Sequence, residues 1–302
     1  MKMIVYESFQ HFIPTGNGWI NGFSSLGWTS YKLPSLEYKI TDIDEEVDLL
    51  IVHDLTESLA LDIIKYKNLH PKSKVAVLCS TFEPFFESIK DYVDLWFNLS
   101  LKNTYLSNIF AEKNMKLECI SLAGYLSLSY PIISDKIYDV SFIGQIGHHG
   151  HGYREEDKYL FPVIDRGYNG FYGGFSYKKK TWSSIPYTEL NNIYNKTKVN
   201  LNFHYKNQKV ESVDPESRIE LNGRIFDIAL SGNFQITDNP VVSELFGDSI
   251  PFVKSSEWLD TIDFFIHNKE KRIALSNLAR KICLEKHTYK NRVEQIVSLL
   301  NL

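Results

Sequence analysis

The sequence predicts an α/β protein made of two Rossmann-like halves, and three observations carry that prediction. Apolar runs of strand length alternate with amphipathic stretches of helix length along most of the chain. Runs such as Leu49–His53 are almost continuously apolar, as a parallel strand covered on both faces requires. The alternation breaks at residues 131–136, a short turn-prone stretch, and then restarts. A chain of 302 residues also suits two domains of about 100–200 residues better than one. The expected division is residues 1–133 and residues 134–302, with the last helix packing back on the first domain.

Each element has its own signal. Residues 3–6 form a short apolar strand, followed by a loop, Pro14-Thr15-Gly16-Asn17-Gly18, and a helix over 19–26. After the strand Leu49–His53, residues 58–66 carry Leu59, Ile63 and Ile64 at helical spacing. Residues 74–79 and 93–97 read as strands around a helix at 84–90, and a helix at 103–112 leads to a strand at 117–121. Repeated β-α units of this length imply an open parallel sheet. In the second half, strands are expected at 139–144, 199–203 and 234–237, with helices at 188–194, 224–230 and 256–267. Two amphipathic helices close the chain. One places Leu275, Leu278, Ala279 and Ile282 on one face, and the other does so with Tyr289, Val293, Ile296, Val297 and Leu300.

Composition narrows the class. Hydrophobic residues make up 43% and charged residues 23%, a globular balance that argues against extended disorder. The net charge of −4 gives no basic surplus of the kind general nucleic-acid binding needs, and Lys178-Lys179-Lys180, the one basic run, reads as a solvated loop. No stretch of about 18 apolar residues is present, so no membrane span is expected. The N-terminus lacks the long apolar region and small-residue cleavage site of a secretory signal. Cys79, Cys119 and Cys283 are scattered without paired spacing, which fits buried thiols in a reducing, cytoplasmic setting.

The segment richest in chemistry is Asn222-Gly223-Arg224-Ile225-Phe226-Asp227. A glycine before a helix lets backbone approach a ligand, and the helix start offers free N–H groups to a phosphate. Arg224 adds a planar donor fork, and Asp227, one turn on, could accept hydrogen bonds from sugar or ribose hydroxyls. The same spacing also describes an ordinary Asp–Arg helix pair. In the first half, Thr15-Gly16-Asn17-Gly18 reads either as a loop approaching an acceptor or diphosphate, or as a plain tight turn. His53, beside Asp54 at a strand end, is a candidate base if its pKa lies near neutral, and Glu83 is a second candidate at a similar strand end. The loop Gly147-His148-His149-Gly150-His151-Gly152 lacks the rigid scaffold a metal site needs and reads better as a glycine-rich loop that closes over a ligand.

Residues from about 139 to 300 resemble the C-terminal domain of group 1 glycosyltransferases, especially the spore-maturation, CgeB-like branch. The likeness runs through Asp139-Val140-Ser141-Phe142-Ile143-Gly144, Ile185-Pro186-Tyr187-Thr188-Glu189-Leu190 and Val199-Asn200-Leu201-Asn202. It continues in Asn222 to Asp227, Glu244-Leu245-Phe246, and Glu285-Lys286-His287-Thr288-Tyr289 with Arg292. The first half is similar only in pattern. The resemblance implies a GT-B architecture, two Rossmann-like domains facing across a cleft, with a nucleotide-sugar donor held mostly by the C-terminal one. It implies donor contacts at Gly144, Arg154, Pro186, Tyr187, Asn222, Gly223, Arg224 and Asp227, and transfer of a sugar to an acceptor hydroxyl with no metal or other cofactor. The expected acceptor is a carbohydrate or small molecule, with nucleic acid less favoured. Many retaining relatives carry two glutamates eight positions apart. Here Asp227 takes the second place, Ile219 the first, and Glu220 lies one residue off, which leaves the stereochemical outcome open. The alternatives are an epimerase or phosphorylase of the same fold, a transferase acting on modified nucleic-acid bases, and a non-catalytic nucleotide-binding module.

Overall fold

The computed structural model describes residues 1–7, 13–34, 38–53, 55–146, 152–153, 155–204, 206–207, 218–219 and 221–302. The first elements are β1 (Lys2–Glu7), α1 (Ile13–Ser25), β2 (Thr29–Pro34) and β3 (Leu49–His53). They continue as α2 (Glu57–Leu69), β4 (Lys74–Leu78), α3 (Phe86–Ile89) and β5 (Leu95–Asn98). β6 (Lys102–Asn103), α4 (Thr104–Glu112) and β7 (Leu117–Cys119) complete this series. Next come β8 (Tyr138–Ile143), β9 (Gly152–Tyr153), α5 (Glu156–Tyr159), α6 (Phe161–Arg166) and β10 (Gly170–Gly173). A hairpin of β11 (Phe175–Tyr177) and β12 (Lys180–Trp182) leads to α7 (Tyr187–Lys196) and β13 (Thr197–Asn202). β14 (Lys206–Asn207) and β15 (Arg218–Ile219) precede α8 (Arg224–Leu230), β16 (Gln235–Thr237) and α9 (Val242–Phe246). Three helices follow: α10 (Trp258–His267), α11 (Lys269–Lys286) and α12 (Tyr289–Leu300).

The chain divides into two compact units. The first holds Met1–Ala123, β15 with Leu221, and Tyr289–Leu302; the second holds Gly124 onward through β14, and Asn222–Thr288. The division at 123/124 falls ten residues before the boundary expected from sequence. The reason is that the turn-prone segment is bonded into the second unit: the Tyr130 and Ile132 amides donate to Asn191 and Asn195 side chains at 3.2 and 2.8 Å.

The first unit is a six-stranded parallel sheet in the order β2-β1-β3-β4-β5-β7. All five residues of β3 are buried, the result expected for a central parallel strand covered on both faces. The core gathers Ile4, Leu50, Val52, Val75, Val77, Trp96 and Phe110. β2 was not foreseen, because Ser30 and Lys32 interrupt its apolar residues; it survives as an edge strand paired only with β1.

Residues Thr15-Gly16-Asn17-Gly18 do not form the expected loop. They lie inside α1, which starts at Ile13 with Pro14 in its first turn, a position that tolerates proline. The glycines serve packing. A Cβ on Gly18 would run into the Tyr289 ring, and one on Gly22 would sit 2.8 Å from the Tyr289 carbonyl and Val293. Helix α12 therefore nests on the glycine face of α1. Trp19 meets the Tyr289 ring edge-on at 5.2 Å, and buried Arg292 donates through Nε to the Ser121 carbonyl at 2.9 Å.

The second unit is a four-stranded parallel sheet, β10-β8-β13-β16, with Val140, Phe142, Leu201, Phe203, Ile236 and Trp258 in its core. In α11 the buried face runs through Arg272, Ser276, Ala279 and Cys283, while Leu278 is 47% exposed. The expected leucine stripe was one position out of phase. Arg272 can enter the buried face because its Nη1 caps the carbonyls of Phe265 and Ile266 at the end of α10.

Candidate functional site

In the second sheet the chain goes first from β8 outward to β10 and then returns past it to β13 and β16. The strand order therefore reverses between β8 and β13, and open α/β sheets take ligands beyond the carboxyl ends of strands at such a point. The residues brought there are Ile143 and Gly144 from β8, Asn202 to His204 from β13, and Asn222 to Arg224 ahead of α8.

Arg224 is fixed at this edge. Its Nη1 donates to the Ile143 carbonyl, and its guanidinium lies 5.1 Å from the centre of the Phe142 ring, a cation–π distance. Asn222 Nδ2 donates to Asn202 Oδ1 at 2.8 Å, Asn202 Nδ2 to Gln235 Oε1 at 3.0 Å, and Gln235 Nε2 to the Ile225 carbonyl at 2.7 Å. This relay of amides positions the turn before α8. Asn222 Oδ1 is buried without a donor among the described residues. Beside it, Gly223 has open space where a side chain would stand, among the described residues beyond its chain neighbours.

Asp227 lies one turn further along α8, and its charge and that of Arg224 both act on buried Tyr194. Asp227 is 4% exposed and accepts from Tyr187 Oη at 2.6 Å, Ser129 Oγ at 3.0 Å and the Tyr125 amide at 3.4 Å. Burial outweighs these donors and pushes its pKa up to about 6. Its carboxylate ties α8 to the start of α7 and to the segment entering the unit. Tyr187 thus contributes its side chain to Asp227, while Pro186 is the exposed N-cap of α7 and its carbonyl accepts from the Glu189 amide at 2.9 Å.

Sequence reasoning missed two residues at the same edge. His204 and Asp238 follow β13 and β16, and Asp238 Oδ1 accepts from the His204 amide at 2.9 Å and lies 3.2 Å from His204 Nδ1. Both are buried. The available signal was position: each is a polar residue just past the carboxyl end of an adjacent apolar strand.

In the first unit, His53 ends β3 and is 3% exposed. Burial first, and the Lys32 charge second, push its pKa down to about 4, so the expected near-neutral histidine is corrected to one that stays uncharged. Glu83 is half-buried beyond β4 and accepts from Thr81 Oγ1 at 3.0 Å. Thr15 to Gly18 belong to α1, as described, and supply no loop. Cys79 is buried, and burial raises its thiol pKa. Asp54, Arg154, Glu220 and the histidines at 148, 149 and 151 lie outside the described residues. Among the described residues no cluster of three or more His, Cys, Asp or Glu could hold a metal, and no helix is long and apolar enough to cross a membrane.

A family model described as glycosyl transferase-like matches residues 144–298, just over half of the chain. The chain belongs to that family. The match of this glycosyl transferase-like protein begins at Gly144 and includes the Asn222 to Arg224 turn. Among solved structures it resembles an alpha-glucosyltransferase in complex with UDP and a 13-mer DNA containing an HMU base. That likeness covers 100% of both chains at a TM-score of 0.71 and 10% identity. It also resembles an E. coli trehalose-6-phosphate structure bound with UDP-2-fluoro glucose, over 100% of this chain and 99% of that one, at a TM-score of 0.59 and 8% identity. An alpha,alpha-trehalose-phosphate synthase (UDP-forming) from Burkholderia vietnamiensis matches at a TM-score of 0.56 and 7% identity, over 99% of this chain and 96% of that one. No curated protein sequence matches the chain. The glycosyl transferase-like chain thus has the GT-B fold, and it is a glycosyltransferase by family.

Proposed function

We propose that this glycosyltransferase moves a sugar from a nucleoside-diphosphate donor to an acceptor hydroxyl without a bound metal, and that it acts in the cytoplasm. The observation that carries the reading is Arg224, a cation held by the Ile143 carbonyl at the switch point of the second sheet, beside the open backbone of Gly223. A fixed guanidinium there offsets the charge that grows on a departing diphosphate, the electrostatic contribution that dominates much enzyme catalysis. Asn222 Oδ1, a buried acceptor, is suited to a donor's hydroxyl or amide hydrogen. Asp227, enclosed by its three donors, acts in this reading by orienting Tyr187 and α8 rather than by touching the sugar. Uracil is the favoured base of the donor, since UDP or a UDP-sugar accompanies similar structures. Glu83 is the favoured base catalyst over His53, being more accessible. Within the family, the CgeB-like branch is the proposed placement.

For the acceptor, a carbohydrate or small molecule remains the first reading. A hydroxymethylated DNA base is the second, favoured by the full-length likeness to a DNA-bound glucosyltransferase. The deciding experiment is calorimetry and transfer assays with UDP-, GDP-, dTDP- and CMP-sugars, with and without EDTA. Binding of one donor unaffected by EDTA is expected; binding of none refutes the reading. Incubation with donor alone separates transfer from epimerisation, and HMU-containing DNA as acceptor decides between the two acceptor readings.

A further inference from the structure

At the amino-terminal edge of the second sheet, opposite the Arg224 edge, lies a cavity of ≈ 350 Å³. Four cations line it: Lys136 ahead of β8, Lys198 early in β13, Lys269 at the start of α11, and Arg272 one turn later. Asp135 is the one acidic residue on its wall. Lys198 is paired with Asp139 at 2.7 Å. Lys136, Lys269 and Arg272 have no carboxylate partner among the described residues, whereas Lys158, Arg166 and Lys178 in the same unit each have one.

The wall is built rather than incidental. Arg272 is 7% exposed and commits Nη1 to two backbone carbonyls, which holds its plane still and leaves Nε and Nη2 without protein partners among the described residues. Lys136 Nζ is held by the Asn195 carbonyl at 2.7 Å and Asn233 Oδ1 at 2.5 Å, with a third hydrogen left over. Burial, and then the Arg272 charge, push its pKa down to about 8. Positive groups that outnumber the acids on a concave wall are stabilised by an anion, and a planar guanidinium beside ammonium groups matches phosphate oxygens. The cavity is of the size that takes a small ligand, and its concavity suits a compact anion better than an extended polymer.

We propose that this cavity binds a phosphate-bearing small molecule at a site separate from the donor edge. The two sites lie at opposite ends of α8, which begins with Arg224 and leads into the cavity residues Gly232 and Asn233. The inference does not depend on the donor reading.

The test uses the whole chain and inorganic pyrophosphate. Lysine labelling with an amine-reactive ester, read by mass spectrometry, should show Lys136 and Lys269 protected at least fivefold by millimolar pyrophosphate and not by chloride at equal ionic strength. Lys269→Glu, at a helix start that favours acids, keeps the fold and should weaken this binding at least tenfold by calorimetry while leaving UDP binding unchanged. Arg224→Ala should leave protection of Lys136 intact. Absence of protection, equal protection in Lys269→Glu, or loss of protection in Arg224→Ala overturns the proposal. So does protection by duplex DNA but not by pyrophosphate.

Discussion

The two sheets are built alike but finish their carboxyl edges differently. Among the described residues of the first unit, the edge carries buried, uncharged His53 and the pair Asn98 and Ser100, and Gly18 and Gly22 after β1 seat α12. In the second unit the same edge carries Arg224 on the Ile143 carbonyl, the bonded pair Asn222 and Asn202, and the bonded pair His204 and Asp238. The lesson is that a Rossmann-like sheet supplies a place for ligands but not the chemistry. Here the one arginine fixed at a described carboxyl edge belongs to the second frame.

The contrast can be broken by mutation. If the second unit carries donor chemistry, Arg224→Ala lowers kcat/KM by about 100- to 1,000-fold with little change in stability. Glu83→Gln lowers kcat by about 100- to 10,000-fold if the first unit supplies only a base, whereas His53→Asn leaves kcat within about threefold, as a non-participating residue should. A large loss in His53→Asn would move the chemistry back to the buried edge.

Acid sharpens the difference in stability. His53 has a folded pKa of about 4, below its ordinary value, so the unfolded chain binds the proton more tightly. Its contribution to the first unit is therefore complete above about pH 6.5 and is lost as pH falls toward 4, about 3 kcal/mol in all. Asp227 works the other way. Its pKa of about 6 is raised, so the folded second unit binds the proton more tightly and loses up to about 3 kcal/mol as pH rises from about 4 to 6. Denaturant melts at pH 4, 5, 6 and 7 should show these opposite slopes flatten in His53→Asn and Asp227→Asn, respectively.

Smaller effects test the packing. Gly22→Ala forces a methyl group against the Tyr289 carbonyl and should cost about 1–3 kcal/mol, read by equilibrium unfolding in denaturant. The helix caps are the control in which the units should agree. Thr56→Ala at α2 and Asn268→Ala at α11 should each cost about 1 kcal/mol.

What could be read from residue order follows the same division. Buried parallel strands such as β3 and β8 announce themselves by apolar runs, and the Asn222-Gly223-Arg224 turn by its glycine and arginine. Edge strand β2 could not be read, because an edge needs no continuous apolar run. The glycines of α1 were misread because glycine marks a turn and a close helix contact equally well, and only α12, more than 260 residues later, decides between them. Asp227 was read as ligand-facing from its spacing to Arg224. Its actual partners, Tyr125, Ser129 and Tyr187, come from distant sequence that no helical period reveals.

The nesting of α12 on α1 also sets an order of events during synthesis. The glycine face of α1 is made before the second unit, while its covering helix emerges only after it. At ribosomal rates of about 5–20 residues per second, that leaves the surface around Trp19 and Gly22 bare for on the order of ten to fifty seconds. The first unit is thus begun first and completed last, and a nascent chain stalled before Tyr289 carries an unfinished domain that invites chaperones.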